Sequence, residues 1–196
     1  NQVATSGDIE IYPTGAYSGA GTLTASSGSV VISGGTTIAP TGAISASGDI
    51  TLSGSGAFTN SGSALTSSGG DISVTSTAAA ITITSPISSY GPVLITSEGS
   101  TSLISVDANI TTSSINGNVR VKSRGAIEVQ DSEVIQTNGA DLVLWASSNG
   151  GNGYIAIRNN VCLNTNASCD PDVATASGSI YLGGGLAGTD YPTGPV

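Results

Sequence analysis

The phrase "SGDITL", Ser47 to Leu52, returns along this chain at nearly fixed intervals. Near-copies are "SGDIEI" from Ser6, "SGSVVI" from Ser27, "GGDISV" from Gly69 and "SGSIYL" from Ser177. Each places a small residue, a Gly, then Asp or Ser before three residues whose first and third are apolar. Gly7, Gly28, Gly48 and Gly69 set steps of 21, 20 and 21 residues. Gly91 adds a step of 22, and Gly117 and Gly139 follow at 26 and 22. A fixed period of this length marks a repeat architecture, and the alternation inside each phrase marks a half-buried strand. Secondary apolar runs lie between the phrases: "GTLTA" from Gly21, "TTIAP" from Thr36, "GAFTN" from Gly56 and "ANITT" from Ala108. One period therefore holds at least two short strands separated by Gly, Ser and Asn turns.

Helix periodicity is almost absent, so the expected class is all-β, a parallel β-helix (β-solenoid) of about 20–22 residues per coil. In such a coil each residue meets its equivalent one period later. Ile9, Val30, Ile50, Ile72 and Val93 then form one inward column, and Ile11, Ile32, Leu52, Val74 and Ile95 a second. A narrow interior favours β-branched side chains and accounts for the aromatic content of only 4%. About nine turns at ~4.8 Å give a rod on the order of 40 Å long. An antiparallel sandwich also alternates, but it gives no reason for one phrase to recur every 20 to 22 residues. The expected organisation is one solenoid domain over residues 1–182, with a loop insertion over 158–176 and a linker or tail over 183–196.

Net charge is −9 with only four basic residues, Arg120, Lys122, Arg124 and Arg158. Phosphate backbones are held by clustered Lys and Arg, so nucleic acid is excluded as an expected partner. No apolar run is long enough to span a bilayer, and the first residues, "NQVATSGD", carry no signal-peptide pattern. Cys162 and Cys169 stand in the polar loop "VCLNTNASCDPD", a spacing that suits a local disulfide and an oxidising compartment. That spacing, in a chain without His, does not suit zinc.

The repeats, with "SGDITLSGSG", "GGDISV" and especially "IQTNGADLVLWASSNGGNGYIAI", resemble the passenger repeats of large secreted bacterial adhesins of the filamentous haemagglutinin type, exported by two-partner secretion. The resemblance covers most of Ser6 to Leu182. It implies a right-handed parallel β-helix, export to the cell surface or beyond, and an adhesive or fibre-forming role. The Asn-Pro-Asn-Gly type motif of that family's secretion domain is absent, and the Cys loop is uncommon among its passengers.

Candidate chemistry is sparse. Asp49 and Asp71 occupy equivalent places one coil apart, a separation that a pair of glycosidase carboxylates could use. Ser29 and Ser179 replace them in sister phrases, which favours a turn-shaping role. Arg120, Lys122 and Arg124 share the outer side of one strand, with Glu128, Asp131 and Glu133 close behind, and form a candidate charged patch for an acidic glycan or protein. Asp170 and Asp172 offer too few ligands for calcium, so neither metal nor cofactor is expected. The regular phrase lapses between Trp145 and Asp172, and loops on a rigid scaffold carry binding. Trp145, Tyr154, Arg158, Asp170 and Asp172 are therefore the candidate partner-binding residues. The expected function is non-catalytic: a secreted or surface rod, assembling end to end or touching a cell-surface glycan or protein. The alternative is a β-helix polysaccharide hydrolase or lyase.

Overall fold

The computed structural model describes residues 1–148, 153–166 and 178–185, and every regular element among them is a β-strand. The strands fall into three parallel sheets of eight, five and eight members. The first sheet starts at Gln2–Ala4 and Leu23–Ala25 and ends at Cys162–Asn164. The second starts at Ile9–Ile11 and Val30–Ser33 and ends at Ile180–Gly183. The third runs from Phe58–Thr59 to Ile155–Ile157, and the single bridges Tyr17–Ile38 and Ile38–Phe58 extend it towards the start of the chain. Each coil visits the three sheets in turn, so the fold is the parallel β-solenoid that the spacing predicts.

Register confirms the expected columns. In the second sheet Ile9, Val30, Ile50, Ile72 and Val93 are paired in succession and continue through Val119, Leu142 and Ile180. The neighbouring column runs Ile11, Ile32, Leu52, Val74, Ile95, Val121, Leu144 and Leu182. From Val30 to Val119 and from Ile32 to Val121 the members of both columns are buried. Ile81, Ile104 and Ile127 form the equivalent column of the third sheet, with Phe58 below them. The 20–22-residue coil holds for the first four steps of the second sheet. It then widens, because the corners before Val119 and before Ile180 carry extra chain.

The recurring glycine has a steric cause. Pairing of Ile50 with Ile72 stacks Gly48 under Gly70, so Gly70 rather than Gly69 is the equivalent residue. The Gly48 amide donates to the Gly28 carbonyl, and the Gly91 amide to the Gly70 carbonyl, each at 2.9 Å. A Cβ on Gly70 would lie 2.3 Å from Asp49 Oδ1 and 2.6 Å from the Gly48 carbonyl carbon. Coils can approach this closely only without a side chain.

Corners are closed by buried hydroxyls. Ser67 Oγ donates to the Gly48 carbonyl at 2.7 Å, and Ser89 Oγ repeats the bond to Gly70 at 3.0 Å. At the next corner Ser76 Oγ reaches the Gly56 carbonyl at 2.7 Å, and Ser123 Oγ the Ser102 carbonyl at 2.8 Å. Buried Asn60 fixes the third corner: it donates to the Ser63 and Ser85 carbonyls and accepts from the Thr84 amide at 2.8 Å. Among the described residues no buried side-chain polar atom lacks a partner. That completeness matters, since an unpaired buried group costs about 1–3 kcal/mol.

The columns predict a contrast between adjacent residues of one strand. Leu52 is fully buried and Thr51 faces outward. Leu52→Ala should cost about 2–5 kcal/mol and Thr51→Ala within about 0.5 kcal/mol. Urea denaturation of both variants checks this, and equal losses would contradict the assigned faces.

Candidate functional site

The Asp of the repeated phrase bonds the coil above it. Asp8 Oδ1 accepts the Ser29 amide at 2.7 Å, and Ser29 Oγ accepts the Asp49 amide at 3.0 Å. Asp49 Oδ1 then accepts the Asp71 amide at 2.9 Å. Higher up, Asn118 Oδ1 accepts the Asp141 amide at 2.9 Å and Asp141 Oδ1 the Ser179 amide at 2.8 Å. Asp, Ser and Asn are interchangeable here because each supplies an oxygen at one distance from the corner. The ladder breaks once. Above Asp71 stands Pro92, which has no N–H to donate, and Asp71 is the ladder carboxyl raised above its ordinary range, by burial first and by the Asp49 carboxylate second.

The three basic residues of the candidate patch separate. Arg120 pairs in register with Leu94 and Val143 on the outer face of the second sheet. Lys122 Nζ lies 4.8 Å from the centre of the Trp145 ring, a cation–π contact. Arg124 lies beyond the strand and reaches Glu98 at 3.9 Å, both side chains half exposed. The acids expected to compensate this strand sit elsewhere. Asp131 Oδ1 accepts the Asn159 amide at 2.9 Å, and Glu128 points from the outer side of the third sheet.

Of the partner-binding candidates, the structure brings Tyr154 and Arg158 together on Glu128. Tyr154 Oη donates to Glu128 Oε1 at 2.6 Å, and Arg158 Nη2 to Oε2 at 2.9 Å. Those bonds, Tyr154 first, hold the Glu128 carboxyl below its ordinary range and raise the Tyr154 phenol. Trp145 does not join them. It lies on the second sheet, 1% exposed, with Nε1 donating to the Gly185 carbonyl at 3.2 Å. Its ring is covered, so it presents no contact surface, a correction to the role its position in an irregular segment suggests. Cys162 opens the strand Cys162–Asn164 and is not a free thiol. Cys169, Asp170 and Asp172 lie outside the described residues. Among those described, no group of three acidic, His or Cys side chains could hold a metal, and no helix is long and apolar enough to cross a membrane.

One feature was missed by reasoning from the phrase. Pro92, Leu94, Asn118, Arg120, Asp141 and Val143 surround a cavity of about 230 Å³ on the outer face of the second sheet. Its signal was present as a departure: "GPVLI" replaces the Asp of the phrase with Pro, and the following coil is lengthened by the turn over 113–118.

No family model, curated protein or solved structure matches the chain.

Asp71 and Glu128 predict opposite pH responses. A raised carboxyl penalises the fold above its folded pKa, and the penalty is lost as pH falls below the unfolded value. Asp71→Asn should therefore stabilise the protein at pH 7, with the gain vanishing in acid. A lowered carboxyl contributes stability above its unfolded pKa that is lost as pH falls through the folded one, so Glu128→Gln should destabilise at pH 7 and converge with the parent in acid. Urea midpoints from pH 7 to pH 3 check both signs.

Proposed function

We propose that this chain is a non-catalytic structural and adhesive rod, a segment of an exported bacterial surface adhesin or extracellular fibre of the filamentous haemagglutinin type. The observation that carries the reading is the composition of the outer columns on an unbroken three-sheet stack. On the first sheet they run Thr24, Ser45, Thr66, Ser88 and Thr111, and on the third Thr59, Thr82 and Ser105. Small neutral hydroxyls over several coils make long faces without charge or relief, which suits a spacer that holds a contact surface away from a cell. Stability in such a stack is a sum over neighbouring coils, so length is added without redesign of the core.

End-to-end assembly belongs to the same reading. Ile180 and Leu182 continue the inward columns, yet they are 43% and 50% exposed on the last described coil. Apolar columns that continue to an uncovered rung favour a further coil there, from another part of the same polypeptide or another subunit. A Cys162–Cys169 bridge, consistent with the absence of a free thiol at Cys162, would tie down the loop in an oxidising compartment.

Two measurements test the reading. Protease added to intact source cells should remove the chain without lysis, and electron microscopy of the native material should show rods or filaments. Protection of the chain in intact cells would overturn surface export. Alkylation followed by mass measurement should modify neither cysteine before reduction and both after it; modification without reductant would remove the disulfide.

A further inference from the structure

The central outer column of the second sheet is Thr51 and Ser73 in the middle coils, then changes to Leu94, Arg120 and Val143. This change coincides with the break in the corner ladder at Pro92 and with the lengthened coil that follows. Together they open the cavity of about 230 Å³. The same corner carries Tyr90, whose carbonyl accepts the Ser114 amide at 2.8 Å, and Ile115, and their side chains are 50% and 71% exposed. A small concavity with an apolar floor, a few converging polar groups and exposed apolar side chains at its corner is the general form of a ligand site.

We propose that this cavity binds one neutral pyranose unit of a glycan. It is smaller than the roughly 300 Å³ at which drug-sized sites begin, so it suits a single ring. Leu94, Val143 and Pro92 offer an apolar wall for the C–H face of a sugar. Hydroxyl pairs on a sugar need donors and acceptors side by side, and both are present. Arg120 carries five N–H donors, more than one partner uses. Asn118 commits its Oδ1 to the Asp141 amide, which leaves its NH2 as a donor. Asp141 supplies carboxylate oxygen, of which Oδ1 already accepts from Ser179. The carboxylate also selects against anions: a uronate or a free carboxylate would meet Asp141 as well as Arg120, on a chain whose net charge is −9. The inference deepens the adhesive reading above and rests on it for its biological setting.

The test is an amide-resolved NMR titration of the labelled protein with glucose, galactose, mannose and N-acetylglucosamine, and with acetate and glucuronate as anionic probes. At least one neutral sugar should shift the amides of Leu94, Asn118 and Val143. Arg120→Ala should weaken that binding at least about tenfold, the loss expected of a hydrogen bond to a charged group. Asn118→Asp keeps the oxygen that serves the Asp141 amide, removes the NH2 donor and should also weaken binding. If Arg120→Ala fails to fold, Asn118→Asp decides. No shift at these amides with any neutral sugar, unchanged binding in a folded variant, or a stronger response to glucuronate or acetate would each overturn the proposal. Cell adhesion that persists without sugar binding would remove the cavity and leave the adhesive reading. Sugar binding by a protein that is protected inside intact cells would do the reverse.

Discussion

Rung-to-rung register is the constraint on which this structure depends. In a parallel stack each strand pairs with its own equivalent one coil later, and a slip of one residue would turn every inward side chain outward. The slip is prevented on three sheets at once. Val30 lies over Ile9, Leu23 over Gln2, and Ile38 bridges to Tyr17 and Phe58. Because like stacks on like, a sequence that fills one coil fills the next, and the chain repeats itself for that reason. The same logic limits chemistry. A side chain that differs from its neighbours above and below must either find a partner of its own or open a gap.

Corners decide where such differences are tolerated. A strand leaving one sheet gives up ladder bonds, and its carbonyls must be satisfied from elsewhere. The inner column of the first sheet shows how this is done. It begins Ala4, Ala25 and Ala46 and changes to Ser67, Ser89 and Thr112. The hydroxyls of Ser67, Ser89 and Thr112 donate to corner carbonyls at Gly48, Gly70 and Gly117. The change from methyl to hydroxyl costs little volume and links successive coils through the side chain as well as the backbone. The Asp, Ser and Asn ladder on the outside does the equivalent for corner amides. Asp in the repeated phrase is therefore a structural acceptor, and the frequency of the phrase reflects how often a corner must be turned.

Much of this was legible in the sequence because the signal is periodic. The two apolar columns of the second sheet could be written down from glycine spacing, and "GTLTA" and "ANITT" correspond to the strands Leu23–Ala25 and Ile110–Thr112. The period also misled locally. "SSGGD" contains two glycines, and only the stacking of Gly70 against Asp49 distinguishes them. The buried hydroxyls were not legible, since Ser76 and Ser73 look alike in sequence while one faces inward at a corner and the other outward. Trp145 misled for a related reason. An aromatic residue in an irregular stretch reads as a contact residue, but its strand pairs with Val119–Ser123, which places Lys122 over the ring.

A periodic scaffold makes departures informative, provided they are read down columns rather than along the chain. Along the chain, "GPVLI" is a modest variant of the phrase and "NVRVKS" a strand with three charges near it. Down the column, Pro92 removes an amide from an otherwise continuing ladder, while Leu94, Arg120 and Val143 replace hydroxyl-bearing side chains over three adjacent coils. One outward apolar residue, such as Val31 between Glu10 and Thr51, disturbs nothing. Three consecutive exceptions beside a lengthened corner leave space that the stack does not fill. The repeat establishes the rod, and the column where it fails on consecutive coils is where this surface acquires chemistry of its own.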